Sequence, residues 1–189
     1  MKTKVKKRTW IALLNLLFLF TAVNAQPVRQ YLHEGWSFRQ ARGTNWYEAT
    51  VPGTVHTDLM DNKLIDDPFY RLNERGVQWV DKEDWIYRTT FDVTPELLAK
   101  KNIVLHFEGL DTYADVTLNG KKILSADNMF CEWQADVRSL LKEHGNELQV
   151  YLHSPVKIAM PKWEAVPFQY RSSNDQSENC LLYTSPSPR

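Results

Sequence analysis

The stretch "IVLHFEGLDTYADVTLNGKKIL", residues 103–124, decides the fold. Its apolar residues recur at every second position, the mark of half-buried strands rather than of a helix. Ile103, Leu105 and Phe107 share one face, Val104, His106 and Glu108 the other, and further on Ala114, Val116 and Leu118 form a second inward set. Asn119 and Gly120 follow at once, a pair that tolerates the positive φ angles of a tight hairpin turn, and Ile123 and Leu124 start the returning strand. Between the two alternating runs, Gly109, Leu110, Asp111 and Thr112 form a corner. There Asp111 or Thr112 can fix the chain by accepting hydrogen bonds from nearby backbone N–H groups. These are structural roles.

The same period returns in "NELQVYLH", residues 146–153, with Leu148, Val150 and Leu152 on one side. Helical signals are brief. Thr94-Pro95 can cap and open a turn through Leu98, and Asp136 is expected to cap "VRSLLKEH", with Val137, Leu140 and Leu141 on one stripe before Gly145 ends it. Upstream, between Trp36 and Trp85, aromatic residues are scattered among turn formers such as Pro52-Gly53 and Asp67-Pro68. This part reads as a long ordered excursion lying across a sheet. Short strands separated by turn signals predict an all-β, antiparallel sandwich with short helical turns.

Residues 1–25 read as an export signal: Lys2, Lys4, Lys6, Lys7 and Arg8 precede an apolar run from Trp10 to Val23, and Val23-Asn24-Ala25 offers a cleavage site. The run is short for a membrane span and contains Asn15, so an exported protein, periplasmic or secreted and with no membrane association after cleavage, is expected. The whole chain balances 23 basic against 23 acidic residues, and without the five basic residues of the signal 18 face 23. An acidic surface repels phosphate backbones, which disfavours nucleic acid and leaves neutral ligands such as sugars open. Cys131 and Cys180 give no framework spacing, and Cys131 is expected to be a lone, mostly buried thiol.

No nucleotide-binding glycine run and no G-x-S-x-G occurs, and His33, His56, His106, His144 and His153 lack metal-ligand spacing. His106 is expected on a solvated strand face; His56, beside a turn, stays open as a functional candidate. Glycoside hydrolysis needs two carboxyl groups flanking one bond. Asp66, Asp67, Glu74, Asp111, Asp115, Glu132 and Glu164 are available, but spacing singles out no pair. Trp36, Trp85 and Trp133 adjoin strand-like sequence and are expected in the core. Trp163, within "MPKWEAVPF" at 160–168, is the candidate for an exposed, sugar-stacking ring.

"WSF" (36–38), "VPGTVHTDLMDNKLIDDPFYRLNERGVQWVDKEDWIYRTTF" (51–91), "FEGLDTYADVTLNG" (107–120) and "NELQV" (146–150) together resemble the amino-terminal domain of β-mannosidases of glycoside hydrolase family two. The GLDT-to-NG stretch alone fits the wider family, which includes β-galactosidases and β-glucuronidases; "VPGTVHTDL" and "DPFYRLNE" point to the mannosidase branch. The resemblance implies a jelly-roll β-sandwich similar to galactose-binding domains. It also implies two catalytic glutamates on a downstream barrel, with β-mannoside glycans as substrates and no metal or organic cofactor. On that reading no catalytic residue lies in this chain, Trp163 is a weak substrate-binding candidate, and Gly109, Asp111, Thr112, Asn119 and Gly120 are structural. A stand-alone carbohydrate-binding module is the alternative from another class, and a fragment of a β-galactosidase or β-glucuronidase relative is a third reading. The last ten residues, "CLLYTSPSPR" (180–189), resemble a translated sequencing adapter, so the expected domain runs from 26 to 179, cut short in mid-sheet, with an unpacked tail.

Overall fold

A computed structural model of the 189-residue chain describes residues 27–168 and the strand Ser187–Pro188. The chain divides into two compact units, residues 1–30 and 31–189. Of the first only residues 27–30 are described, without regular structure. The segment read as an export signal, Arg171 to Asn179, Cys180 and Tyr183 lie outside the described residues.

The second unit is built on strands β1 (Ser37–Gln40), β2 (Tyr47–Glu48), β3 (Trp85–Phe91), β4 (Val104–Phe107), β5 (Leu110–Asp111), β6 (Ala114–Leu118), β7 (Lys121–Ala126), β8 (Trp133–Asp136), β9 (Asn146–Leu152) and β10 (Ser187–Pro188). Three helices join them, α1 (Val55–Asp61), α2 (Pro95–Leu98) and α3 (Pro155–Glu164), with 3-10 turns at Asn73–Gly76 and Val80–Lys82. One antiparallel sheet runs β2-β1-β3-β9-β6-β7; β4 pairs with β8, and β5 with β10. This is the mostly β, jelly-roll-type domain with short helical turns that the sequence predicts.

Register explains why the alternating runs end up together. Tyr87 faces Val150, which faces Val116; on either side lie the rows Thr89, Leu148, Leu118 and Trp85, Leu152, Ala114. The inward sets of β6 and β9 therefore form one buried surface, with Val116, Leu118, Val150 and Leu152 fully shielded from solvent. Each such side chain contributes about 1.5–3 kcal/mol, and a one-residue slip of either strand would turn the whole set to water. Ile103, Phe107 and Leu110 join the same core, as do Val51, Val55, Leu59, Val77 and Val80 from the excursion. The excursion thus packs as an ordered layer on the sheet. The β6–β7 turn is the expected two-residue one, with φ 51° at Asn119 and 78° at Gly120.

Several expectations need correction. "VRSLLKEH" makes the single turn expected behind Asp136, which accepts from the Arg138 N–H at 3.0 Å while Leu141 N–H reaches the Val137 carbonyl, but it does not run on to Gly145. Continuation is blocked because the Asn146 side chain takes both the N–H and the carbonyl of Lys142, at 2.9 and 2.7 Å. Trp36 and Trp85 are core residues, but Trp133 is half-buried; it sits on the short β4–β8 ladder, its indole N–H bonded to the Asn128 carbonyl. Cys131 is an exposed, free thiol, because it lies in the loop before β8 rather than on a strand face. The tail is not wholly unpacked, since Ser187–Pro188 pairs with Leu110–Asp111. An open strand edge offers unpaired N–H and carbonyl groups to any extended segment that reaches it.

Candidate functional site: a cleft in the 62–82 excursion

The cleft starts from how α1 begins and ends. Thr54 caps the helix, its hydroxyl accepting the Thr57 N–H at 3.2 Å while the Thr57 hydroxyl accepts the Thr54 N–H at 3.1 Å. Asp58, almost wholly buried, then accepts from the Tyr87 hydroxyl at 2.6 Å and from the Thr50 N–H at 2.8 Å, fastening α1 to β3. Burial pushes the Asp58 carboxyl up against the pull of those two donors, and burial with the neighbouring Asp58 charge pushes the Tyr87 hydroxyl well up. Asn62 ends the helix by donating to the Glu48 and Asp58 carbonyls, and Lys63, at φ 58°, reverses the chain.

From there the chain is held by its own turns. Asp67 accepts the Phe69 N–H at 2.9 Å, and Asn73 donates to the Asp67 carbonyl at 3.0 Å. Val77 and Val80 anchor the return in the core, and Trp79 between them is left partly outside, 5.9 Å from the Trp85 ring. The result is a cleft of about 320 Å³ lined by residues 63–66, Asn73, Gly76, Val77 and Trp79. Its volume falls in the range of small-ligand sites. Among acids only Asp66 lines it, so it has an aromatic wall, one carboxylate, one lysine and one carboxamide. These groups can hydrogen-bond and stack against a polar ligand, whereas glycoside hydrolysis takes two carboxyl groups.

The other acids singled out in sequence go elsewhere. Asp115 bonds to Lys122 and Ser125, both at 2.7 Å, Glu132 faces His106 on the exposed side of β4, and Asp111 accepts from the Thr112 hydroxyl. Among the described residues no group of three His, Cys, Asp or Glu is arranged to hold a metal, and no helix is long and apolar enough to cross a membrane. His56 lies on α1; burial lowers its imidazole pKa while Asp81 raises it. Asp81 is itself pushed up by burial, and its Oδ1 is the one buried side-chain polar atom without a hydrogen-bond partner among the described residues.

Gly109 is buried at the corner before β5, and Asn119 has a wider role than its turn. Its amide donates to the Leu140 carbonyl at 2.8 Å and to Asn146 Oδ1 at 3.1 Å, while its Oδ1 accepts the Glu147 N–H at 3.0 Å. Trp163 is half-buried on α3 instead of free in a loop, because Ser154 caps a helix there with Pro155 in its first turn. It does not line the cleft; Trp79 does.

Asp84 holds the start of α3. It accepts from the Ser154 N–H at 2.7 Å and the Tyr151 hydroxyl at 3.2 Å, with Lys157 Nζ at 3.4 Å. Partial burial pushes its carboxyl up, but the Ser154 N–H, Lys157 and Tyr151 together bring it below the ordinary 3.8. A carboxylate lowered in the folded state stabilises it fully above the unfolded value and ceases to do so as pH falls through the folded one. The urea midpoint is therefore expected to drop on acidification below about 3.8, and Asp84→Asn is expected to show a shallower drop. Parallel pH profiles for the two proteins would count against this role.

A family model described as "Glycosyl hydrolase 2 galactose-binding domain-like" matches residues 36–183. The chain is 44% identical over 126 residues to a β-mannosidase B of Thermothelomyces thermophilus, covering 65% of this chain and 15% of that protein. It is 42% identical over 118 residues to the β-mannosidase B of Emericella nidulans, with 60% and 14% covered. A crystal structure of a β-D-mannosidase from Dictyoglomus thermophilum superimposes with a TM-score of 0.72 at 46% identity, over 76% of this chain and 18% of that one. The chain thus spans about a seventh of the length of the curated relatives it matches.

Proposed function

Since the chain belongs to the glycosyl hydrolase 2 galactose-binding-domain-like family and matches the amino-terminal domain of family-two β-mannosidases, we propose that it is the front of an exo-acting enzyme that removes terminal, non-reducing β-D-mannose from glycans. The observation that carries this reading is the 46% identity to a β-D-mannosidase across 76% of the chain. In the proposed enzyme two carboxyl groups on a downstream barrel perform a retaining, double-displacement hydrolysis, one as nucleophile and one as acid and then base. The residues described above take no step of that chemistry. They supply a rigid sandwich and a cleft with binding groups, without a metal or organic cofactor. Residues 1–25 would direct export, the domain would run from 26 to 179 ahead of a foreign tail from 180 to 189, and Trp163 would make a secondary glycan contact.

The test is direct. The 189-residue chain is expected to give no turnover of an aryl β-mannoside, and the longer polypeptide encoded at the native locus is expected to hydrolyse it. Turnover by the short chain, or its absence in the long one, would overturn the reading. The aromatic-walled cleft favours a second reading, a stand-alone carbohydrate-binding module. Retention of the short chain on a glycan array would support that alternative.

A further inference from the structure

The outer face of the main sheet carries arginine charge that no described acid pairs with. The side chains that alternate with the buried sets of β3, β9 and β6 point away from the core, and register sets them in rows. Ser37, Arg88, Gln149 and Thr117 form one row, and Arg39, Ile86, Tyr151 and Asp115 the next. Neighbouring strands lie about 4.8 Å apart, so a row of four crosses roughly 14 Å of surface. Apart from Ile86, which is buried, these side chains are half-buried, held by neighbours yet open to solvent.

Two arginines of this face share one indole. The Arg88 guanidinium lies over the Trp46 ring, 3.8 Å from its centroid, and the Arg39 guanidinium at 5.0 Å. Arg39 donates from Nη1 to the carbonyls of Gln40, Ala41 and Gly43, whereas Arg88 makes no hydrogen bond with its side chain among the described residues. A guanidinium resting on an indole face is fixed without using its N–H donors, so its fork stays open to a planar anion. Arg42, exposed in the turn after β1, adds a third cation: burial and Asp84 raise the pKa of the Tyr151 hydroxyl, and the charges of Arg42 and Arg39 lower it. Among the described residues ion pairs are made by lysine and histidine, and none by Arg39, Arg42 or Arg88. The acids nearby are engaged or set aside. Asp115 holds Lys122 and His153, and Asp84 holds Lys157. Glu147 lies on the β9 side of Arg88, whereas Trp46 draws the guanidinium towards β1 and β2, and Glu48 lies beyond Ser37 on the edge strand.

A free guanidinium fork takes a carboxylate or a phosphate. Glu48, Glu147 and Asp115 border the arginines and repel a densely charged phosphate chain, and an anionic membrane is met by clusters of roughly four to eight Lys and Arg. Peptides dock on free strand edges or in apolar pockets, and this face is mid-sheet with its apolar member, Ile86, covered. The groups left open beside the arginines are the Thr117 hydroxyl, the Gln149 carboxamide and the Tyr151 phenol, which match the hydroxyls of a sugar. We infer that the face around Trp46, with Arg88, Arg42 and Gln149, binds a carboxylate-bearing oligosaccharide, a uronate chain laid across the sheet. None of these residues lines the cleft described above.

Isothermal titration calorimetry of the 189-residue chain at low ionic strength tests this with a matched pair of ligands. They are the tetramer of β-1,4-linked mannuronate and neutral β-1,4-mannotetraose, which differ at each ring by a carboxylate in place of a hydroxymethyl group. The acidic tetramer is expected to bind about tenfold more tightly, and the difference to shrink in about 0.5 M salt, which screens exposed charge. Arg88→Gln and Arg42→Gln are each expected to weaken it about tenfold, with the urea midpoint of Arg42→Gln unchanged. Arg88→Lys, which keeps the charge and loses the fork, is expected to recover little of that loss, and Lys63→Gln in the cleft to leave binding as it is. Absent binding, equal affinity for the two tetramers, equal binding of a tetraglutamate peptide, or sensitivity to Lys63→Gln but to neither arginine variant would each overturn the site. The sugar of the probe follows the reading of the chain as the front of a β-mannosidase, and hydrolysis of the aryl β-mannoside by the long form reads that separately. An active long form beside a short chain without preference for the acidic tetramer sinks this site alone. An inactive long form beside a short chain that prefers it sinks only the assigned activity.

Discussion

Asn146→Ala is expected to unfold the domain at a urea concentration far below that of the parent. Asn146 is fully buried, and its one side chain satisfies four groups: the N–H and carbonyl of Lys142, the Phe91 carbonyl at 3.3 Å and the Asn119 amide. Alanine leaves all four without that partner in a place that water reaches poorly, at about 4 kcal/mol in sum. Against a total stability of about 5–15 kcal/mol that is a large share. Asn146→Asp sharpens the test, because it keeps the size and the acceptor oxygen but loses both donors and adds a buried charge. It is expected to be no better than alanine, and an aspartate variant as stable as the parent would show that the Phe91 and Lys142 carbonyl bonds contribute little.

Gly53→Ala is expected to cost about 3 kcal/mol, read as a shift in the same urea midpoint. A Cβ at position 53 would run into the backbone carbonyl oxygen and carbon of Thr50. No rotamer change relieves a clash between a methyl group and main chain. The segment cannot retreat either, because the Thr50 N–H is bonded to Asp58 and Val51 is in the core. Gly76→Ala, where an added Cβ meets nothing within 4 Å, is the matched comparison and is expected to leave the midpoint nearly unchanged. Equal effects at the two glycines would remove the steric explanation.

What could be read in the sequence was whatever depends on near neighbours. The inward sets 114/116/118 and 148/150/152 follow from a period of two, and the hairpin follows from two adjacent residues that accept positive φ. Thr94-Pro95 announces α2 in the same local way. The same signals announce α1 and α3, which were not anticipated: Thr54 and Thr57 form a capping box, and Ser154-Pro155 repeats the Thr94-Pro95 arrangement. Before α1 the Pro52-Gly53 pair points only to a turn, and α3 carries Pro161 within it, a residue that ordinarily disfavours a helix interior. Other features depend on residues far apart in the chain. Asp58 meets Tyr87 across 29 positions and Asn119 meets Asn146 across 27, and no spacing rule links either pair. The cleft was hidden for a related reason: Trp79 is one aromatic among many until Val77 and Val80 turn inward on either side of it. Trp163 drew attention by its composition, whereas position favours Trp79.

The order of strands in the main sheet also governs how the molecule is made. Its central seam joins β3 to β9, and the closest rung of that seam, Phe91 to Asn146, already spans 55 positions. During synthesis β1, β2 and β3 emerge early, yet β3 has no second neighbour until β9 arrives, and β6 with its hairpin partner β7 must wait for the same strand. Assembly is therefore dominated by non-local pairing, which slows folding and leaves strand edges open on the ribosome. Until Leu152 has left the exit tunnel, the nascent chain is two separate ribbons awaiting the strand that joins them.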